Sequence, residues 1–409
     1  MKKYIRSSKT ALKFTNKGKL NLLDSIISEY TNVVNEFIKI LWTNDINKIP
    51  KFLDKDTTNQ VSTWLSARMV QCAGKQASGI VRGVVSKQRK RLYIYEKLIS
   101  ERKYKKARKL KKIIDSKNLS VPTVDTVPMQ LDSRFVKIDM DNETSFDGWI
   151  TLSSVGDKIK IKLPFKRTKH FNKYYQRGKL LSNVRITKDC LEFSFEVQKE
   201  EPKSEGKTIG IDIGSSNVIS CSDGQQSNPG LGDIQKKIAR KKKGSKAYQR
   251  AIKERENYIN WSINQLNLEG VKEVKRENIK NLKKGKRTSK FLTAWTYTDI
   301  FDKLDRYCEE QNVSVTKVAP TYTSQRCSCC GWTQKTNRKG KEFKCKQCGN
   351  TLDADLNASL NISLSLKPIG KQERLLQKNR KGFYWLEEGQ EHIVPDTSKN
   401  LKEEYFSIL

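Results

Sequence analysis

Histidine is almost missing from this chain: 409 residues include two, His170 and His392. Chemistry that needs an imidazole base is therefore poorly supplied, and so is a nuclease module of the HNH type. Long apolar runs are missing as well. No stretch approaches the ~18 residues of a membrane helix, and neither a signal-peptide pattern nor a lipidation motif is present. The expectation is a chain with no membrane partner. Acidic residues are scarce beside basic ones, 45 Asp+Glu against 81 Lys+Arg, which leaves a formal charge of +36. Self-repulsion of that size disfavours a compact state unless a polyanion neutralises it, and nucleic acid is the expected partner. With 36% hydrophobic and 31% charged residues the composition is that of a polar globular protein, long enough for two to four domains.

Five of the nine cysteines fall between Cys327 and Cys348, a clustering that reads as metal ligation in a reducing compartment. Cys327-x-x-Cys330 and Cys345-x-x-Cys348 are each followed by glycine, Gly331 and Gly349. This is the spacing of two knuckles whose four sulfurs converge on one zinc at about 2.3 Å. A site closed by four thiolates is structural. Cys329, between two ligands, is the spare.

Apolar spacing predicts an extended opening strand over residues 3–14, a helix from Leu20 to Leu41, and a second helix over 61–85 rich in Ala and Gly. A third helical run, 87–112, carries 13 Lys/Arg and two Glu with tyrosines interleaved. From about Val121 the period changes to two. "DKIKIKLPF" and "CLEFSFEV" read as half-buried strands of an antiparallel sheet or small barrel. Between them "KRTKHFNKYYQRGK" is expected to form a basic, aromatic loop facing phosphates and bases. The polar stretch 198–207 reads as a domain boundary. Beyond it come a strand carrying Asp212, a basic run over 236–255 with ten Lys/Arg and one Glu, a short polar strand ending near Glu277, a helix around 295–308, a strand in "NVSVTKVAP", the cysteine segment, and a helix over 355–366. No repeat of solenoid length is evident.

Asp212, Glu277 and Asp355 each sit at a strand end or helix start. Three acids gathered in one place repel one another unless divalent cations lie between them, the arrangement that hydrolyses phosphodiesters without histidine. Singly, each is as well read as a turn residue, a cap or a salt-bridge partner; Asp355 suits an N-cap or first-turn position.

"IGIDIGSSNVIS", "KKIARKKKGSKAYQRA", "ENIKNLKKGKRTSK", "VAPTYTSQRCSCCG" and "CGNTLDADLNASLNI", in this order over residues 206–366, resemble the TnpB (OrfB) family. These are transposon-encoded RNA-guided DNA nucleases related to the miniature type V CRISPR effectors. The resemblance implies a multidomain α+β protein. An RNase-H-like RuvC nuclease domain (206–322 and 350–366) would carry a zinc-binding target-strand loading insert (323–349). A β-barrel wedge domain (1–17 and 119–200) would hold a helical recognition insert (18–118). Asp212, Glu277 and Asp355 would be the Mg²⁺-binding catalytic acids, with Asp353 the alternative third acid. Expected nucleic-acid contacts are Lys87, Arg89, Lys90, Arg91, Lys166, Arg167, Tyr174, Lys241, Lys242, Lys243, Lys246 and Arg250. The expected partners are a guide RNA and double-stranded target DNA, bound by one or two protein chains in the cytoplasm of a prokaryotic cell. An RNA-guided repressor and a transposon accessory DNA-binding protein are the alternatives. Residues 367–409 match no motif and read as a disordered or guide-RNA-touching extension.

Overall fold

The computed structural model describes residues 3–43, 45–116, 120–140, 143–154, 159–214, 216–279 and 296–389. The chain forms two compact units, Met1–Lys199 and Glu200–Leu409, and the division in the chain falls inside the polar stretch 198–207. Among the described residues no helix is long and apolar enough to cross a membrane.

The first unit opens with β1 (Lys3–Ala11) and α1 (Lys17–Leu41), followed by the short α2 (Lys55–Asn59) and by α3 (Ala67–Ser100) and α4 (Tyr104–Ser116). Asn16 caps α1 by accepting the Lys19 amide. The predicted apolar face of α1, from Leu23 to Leu41, is buried against α3. Gly74 of α3 leaves room for the segment before α2: a Cβ there would stand 2.4 Å from Leu53 Cδ1, with Phe37 of α1 at 3.6 Å. The two helices expected over 61–85 and 87–112 divide elsewhere. One helix runs from Ala67 to Ser100, and the chain turns at residues 101–103, where Arg102 adopts φ 53°. Ser86 and Lys87 hold no Gly or Pro that could stop a helix, so charge alone was a poor marker of its end.

The strands of this unit are β2 (Met129–Leu131), β3 (Val136–Asp139), β4 (Gly148–Ser153), β5 (Lys160–Phe165), β6 (Gly178–Ile186) and β7 (Cys190–Gln198), with α5 (Lys169–Arg177) before β6. They build two antiparallel sheets, ordered β1-β7-β6-β2 and β3-β4-β5. The alternation expected of "CLEFSFEV" is present, with Leu191, Phe193, Phe195 and Val197 all buried. The basic aromatic loop expected before β6 is a helix instead. Thr168 caps it by accepting the Phe171 amide, and Phe171 packs against Phe193 and Phe195. Tyr174, expected to face nucleic acid, belongs to the same core at 2% exposure. A helical period puts Phe171 and Tyr174 on one inward face, and the aromatic ring left outside is Tyr175, with Arg167 over it at 5.8 Å.

The second unit consists of β8 (Lys207–Asp212), β9 (Ser220–Cys221), α6 (Leu231–Arg240), α7 (Lys246–Asn264), β10 (Val271–Glu277), α8 (Tyr297–Glu310), β11 (Ser314–Val318), β12 (Trp332–Thr333), β13 (Arg338–Lys339), β14 (Glu342–Lys344), β15 (Thr351–Asp353), α9 (Ala354–Ser363), α10 (Lys371–Lys378) and β16 (Phe383–Tyr384). Its main sheet has the order β11-β10-β8-β9. β10 runs parallel to both β11 and β8, and β9 closes antiparallel on β8. Trp295 and residues 280–290 of the "ENIKNLKKGKRTSK" motif lie outside the described residues.

β10 is a central strand that reads polar, and its partners explain how. Glu273 accepts hydrogen bonds from Thr208 on β8 and Thr316 on β11. Arg276, buried, makes paired bonds to Asp305 at 2.7 and 2.6 Å and lies over the Phe301 ring at 4.1 Å. Val271 and Val274 supply the apolar contact. Buried charge is tolerated here because it is paired and hydrogen-bonded.

Residues 367–389 are no loose tail. β16 pairs with β12, Trp385 donates its backbone N–H to Gly331 O at 3.0 Å, and its indole N–H reaches Lys367 O at 2.8 Å. Two buried aromatics, Phe383 and Trp385, hold this segment on the cysteine module. Residues 390–409 lie outside the described residues.

Candidate functional site

The cysteine module is assembled by local turns. Gly331 N–H donates to Cys327 O at 3.0 Å and Gly349 N–H to Cys345 O at 3.1 Å, with both glycines at positive φ, 75° and 74°. These are the two knuckles. Cys327 Sγ lies 3.7 Å from Cys348 Sγ, and Cys330 Sγ lies 3.6 Å from Cys345 Sγ. All four sulfurs fall within 4.8 Å of one another. A tetrahedron with metal–sulfur bonds of about 2.3 Å has edges of about 3.8 Å, so the cluster fits zinc. Cys329 is exposed and takes no part.

The three acids arrive from three elements. Asp212 ends β8, Glu277 ends β10 beside it, and Asp355 lies in the first turn of α9. Gly210 explains how α9 comes so near the sheet. A Cβ there would stand 2.1 Å from Ser359 O and 2.4 Å from Ser363 N. The helix carrying Asp355 thus rests on the bare backbone of the strand carrying Asp212. Asp353 is the N-cap of α9: it is exposed, and its side chain accepts the amides of Asp355 and Leu356 at 2.9 and 3.0 Å. Its carboxylate is thus engaged as a cap at the surface, while Asp355 is 4% exposed.

The charges of the three acids are felt in one place. Burial, then the charges of Glu277 and Asp355, hold the Asp212 carboxyl well above its ordinary range, and Arg338 draws it back. Burial raises Glu277 too, opposed by a hydrogen bond from the Thr323 hydroxyl and by Arg338. Asp355 is ion-paired through both oxygens, to Arg338 at 2.9 Å and to Lys341. These two cations flank the turn between β13 and β14, where Gly340 adopts φ 64°. Among the described residues the set of three or more candidate ligands gathered within 4.8 Å is the cysteine set. The charges of Glu277 and Asp355 reach Asp212 without the three acids forming such a set, and Asp355 is paired with the two cations.

Two asparagines, one helical turn apart on α9, join the zinc module to this pocket. Asn357 donates to Arg326 O at 2.8 Å and accepts the Ser328 amide at 3.0 Å. Asn361 donates to Arg326 O and Thr323 O, at 2.7 and 3.0 Å, and accepts from the Arg326 guanidinium at 2.7 Å. Thr323 in turn holds Glu277, so a continuous set of bonds links the first knuckle, α9 and the second acid. The motif "DLNASLNI" contained this signal as Asn at i and i+4 in an apolar helix. Arg338, Lys341 and Gly210 carried no comparable mark.

Of the expected nucleic-acid residues, Lys87, Arg89, Lys90, Lys166, Arg167, Lys241, Lys242, Lys243, Lys246 and Arg250 are exposed, while Arg91 is half-buried and bonded to Gln88.

Residues 297–362 match the family model described as Cas12f1-like, TNB domain. Over 108 residues the chain is 38% identical to the CRISPR-associated endodeoxyribonuclease Cas12f1 of Sulfoacidibacillus thermotolerans, a stretch covering 26% of this chain and 25% of that relative. Over 49 residues it is 47% identical to the putative RNA-guided DNA endonuclease InsQ of Escherichia coli strain K12, covering 12% of each. The chain therefore spans a quarter or less of the length of these curated relatives. Among solved structures, a Cas12f1–sgRNA–target DNA complex aligns with a TM-score of 0.49 and 17% identity, over 85% of this chain and 83% of that one. The similarity to TnpB-like proteins and miniature type V effectors read from the motifs holds.

Proposed function

We propose that this chain is an RNA-guided DNA endonuclease that cuts double-stranded DNA beside a short flanking motif, through one RuvC-type site using divalent metal. The observation that carries the reading is the convergence of three acids from separate elements: Asp212 at the end of β8, Glu277 at the end of β10 and Asp355 in the first turn of α9, where burial and then the charges of Glu277 and Asp355 push the Asp212 carboxyl above its ordinary range. Such a pocket is short of positive charge, and Arg338 with Lys341 supplies it on one side. The donor set, three carboxylates from separate elements, is of the kind that suits Mg²⁺. Divalent cations held there would supply the charge that activates a water and stabilises the leaving oxygen.

The chain's own residues do the rest. Thr323 orients Glu277, Asp353 caps the helix that presents Asp355, and Asn357 with Asn361 ties that helix to the zinc knuckle. In this reading residues 206–322 and 350–366 form the RNase-H-like nuclease domain. Residues 323–349 load the target strand. Residues 1–17 and 119–200 form the wedge around a recognition insert at 18–118. A guide RNA neutralises much of the +36 charge, and its pairing with the target supplies sequence specificity.

The test is cleavage of a matched duplex by the RNA-loaded protein in Mg²⁺ and in EDTA. Wild type is expected to cut in Mg²⁺ alone. Asp212→Ala and Asp355→Ala should each lose cutting by about 10³-fold or more while keeping guide-dependent DNA binding. Retained cleavage in either variant refutes the site. The pairing of Asp355 with two cations favours a second reading, a guided DNA binder that does not cut. Wild type that binds but leaves the duplex whole in Mg²⁺ would establish it. Absence of copurified RNA would point instead to a transposon accessory DNA-binding protein.

A further inference from the structure

One face of α7 is exposed along much of its length. Arg250, Lys253, Asn257 and Trp261 lie along it at helical spacing and are exposed, with Tyr258 half-buried between them. Together with Ile234 of α6 they line a shallow, open groove of about 540 Å³. Trp261 is 46% exposed, and its ring lies 5.8 Å from that of Tyr258, tilted by 42°. The groove's one acid, Glu254, is engaged by Lys237 at 2.6 Å, and Arg240 and Lys241 continue the basic surface along α6. An exposed indole set among cations offers a stacking plane to a base and charge to its phosphate.

The groove is also linked by hydrogen bonds to the segment that follows the first acid. Tyr258 hydroxyl donates to Asn228 O at 2.6 Å. Two residues on, the amides of Gly230 and Leu231 donate to Ser216 O at 3.4 and 3.1 Å. Ser216 stands four residues after Asp212, no more than about 14 Å of extended chain.

We infer that this groove binds unpaired nucleotides of the DNA strand being delivered to the nuclease pocket, with a base stacked on Trp261 and its phosphate met by Arg250 and Lys253. The choice of DNA rests on the proposed nuclease function; the stacking site rests on the groove alone. A paired base is already stacked on its neighbours, so the site selects single strands.

The experiment is a fluorescence-anisotropy titration of the full chain with a labelled deoxythymidine 12-mer, its RNA counterpart and a duplex of the same length. Wild type is compared with Trp261→Ala, Trp261→Phe and Lys253→Ala, and thermal unfolding confirms that each variant folds. Trp261→Ala should weaken the DNA single strand about tenfold, the worth of one base on one aromatic ring. It should leave duplex binding and the salt dependence unchanged, and Trp261→Phe should restore most of the loss. Lys253→Ala should reduce the salt slope by about one phosphate contact. Equal affinity in wild type and Trp261→Ala overturns the site. A loss confined to RNA assigns the groove to the guide and overturns the DNA assignment. A drop in stability with no change in binding shows that the groove is covered by protein. Because none of these readings depends on cleavage, the groove can stand while the nuclease proposal fails, and the reverse.

Discussion

The thiolate cluster and the carboxylate pocket stand side by side in the second unit and are built in opposite ways. Four cysteines converge through two tight turns within 22 residues of chain, counting from Cys327 to Cys348. Three acids converge only because a parallel sheet and a helix bring together positions as far apart as Asp212 and Asp355. The first closes on itself and fits one ion. The second stays open and carries its counter-charge on two side chains from the neighbouring hairpin. The difference teaches which site can be moved by the other: the zinc module holds α9 through Asn357 and Asn361, so loss of the first should disturb the second, whereas emptying the second should leave the first intact.

The largest expected break in that comparison is removal of a thiolate. Cys345→Ser should abolish zinc retention and cost a large share of the about 10–16 kcal/mol that a structural zinc contributes to its fold. Zinc content and protease resistance of residues 323–353 would report it. Cleavage should fall with it, because Arg326 and Ser328 no longer brace α9. Asp212→Ala, by contrast, should stop cutting while zinc content stays at one per chain.

Gly210→Ala comes next. Its new methyl would meet backbone atoms of α9, and overpacking of this kind costs about 1–3 kcal/mol. The melting temperature and the cleavage rate should both fall, again with zinc unchanged. A variant that cuts normally would show that α9 does not need this close seat.

Lys341→Ala sharpens the comparison in the other direction. The half-exposed Lys341 ammonium pairs with the buried Asp355 carboxylate and would compete with a cation there, by about 1 kcal/mol on the exposed side of the pair. Its removal should lower the Mn²⁺ concentration for half-saturation about fivefold. Isothermal titration on zinc-loaded protein would read this directly, and unchanged affinity would argue against competition.

The smallest effect is on pH dependence. Because Asp212 is raised above its ordinary value of 3.8, the folded state binds more protons than the unfolded one from that value upward. Stability of the zinc-loaded, magnesium-free protein should therefore decline as pH rises through this window. Asp212→Asn should flatten the slope, read as melting temperature against pH.

Much of this was legible from local spacing. The Cys-x-x-Cys-Gly pairs announced the knuckles, and period-two alternation announced β5 and β7. Helical period announced α1. What local pattern could not carry was partner choice across the chain. "VKEVKRE" reads as a poor strand until Asp305, Thr208 and Thr316 are seen beside it. Tyr174 looked like a base-stacking ring until α5 turned it inward. Arg338 and Lys341 were two cations among 81 basic residues, and only the turn at Gly340 aims them at Asp355. Residues 367–389 carried no motif because their strand is two residues long and finds its partner, β12, about 50 residues earlier.

The central claim, that one ion can be shared by acids distant in sequence, is tested most directly by iron-mediated backbone cleavage. Zinc-loaded protein would be incubated with Fe²⁺, ascorbate and peroxide, and the fragments mapped by mass spectrometry. The account predicts cuts clustered near Asp212, Glu277 and Asp355 together, suppressed by excess Mg²⁺ and lost in Asp212→Asn. Cuts at one of these positions alone, or a pattern indifferent to Mg²⁺, would contradict it.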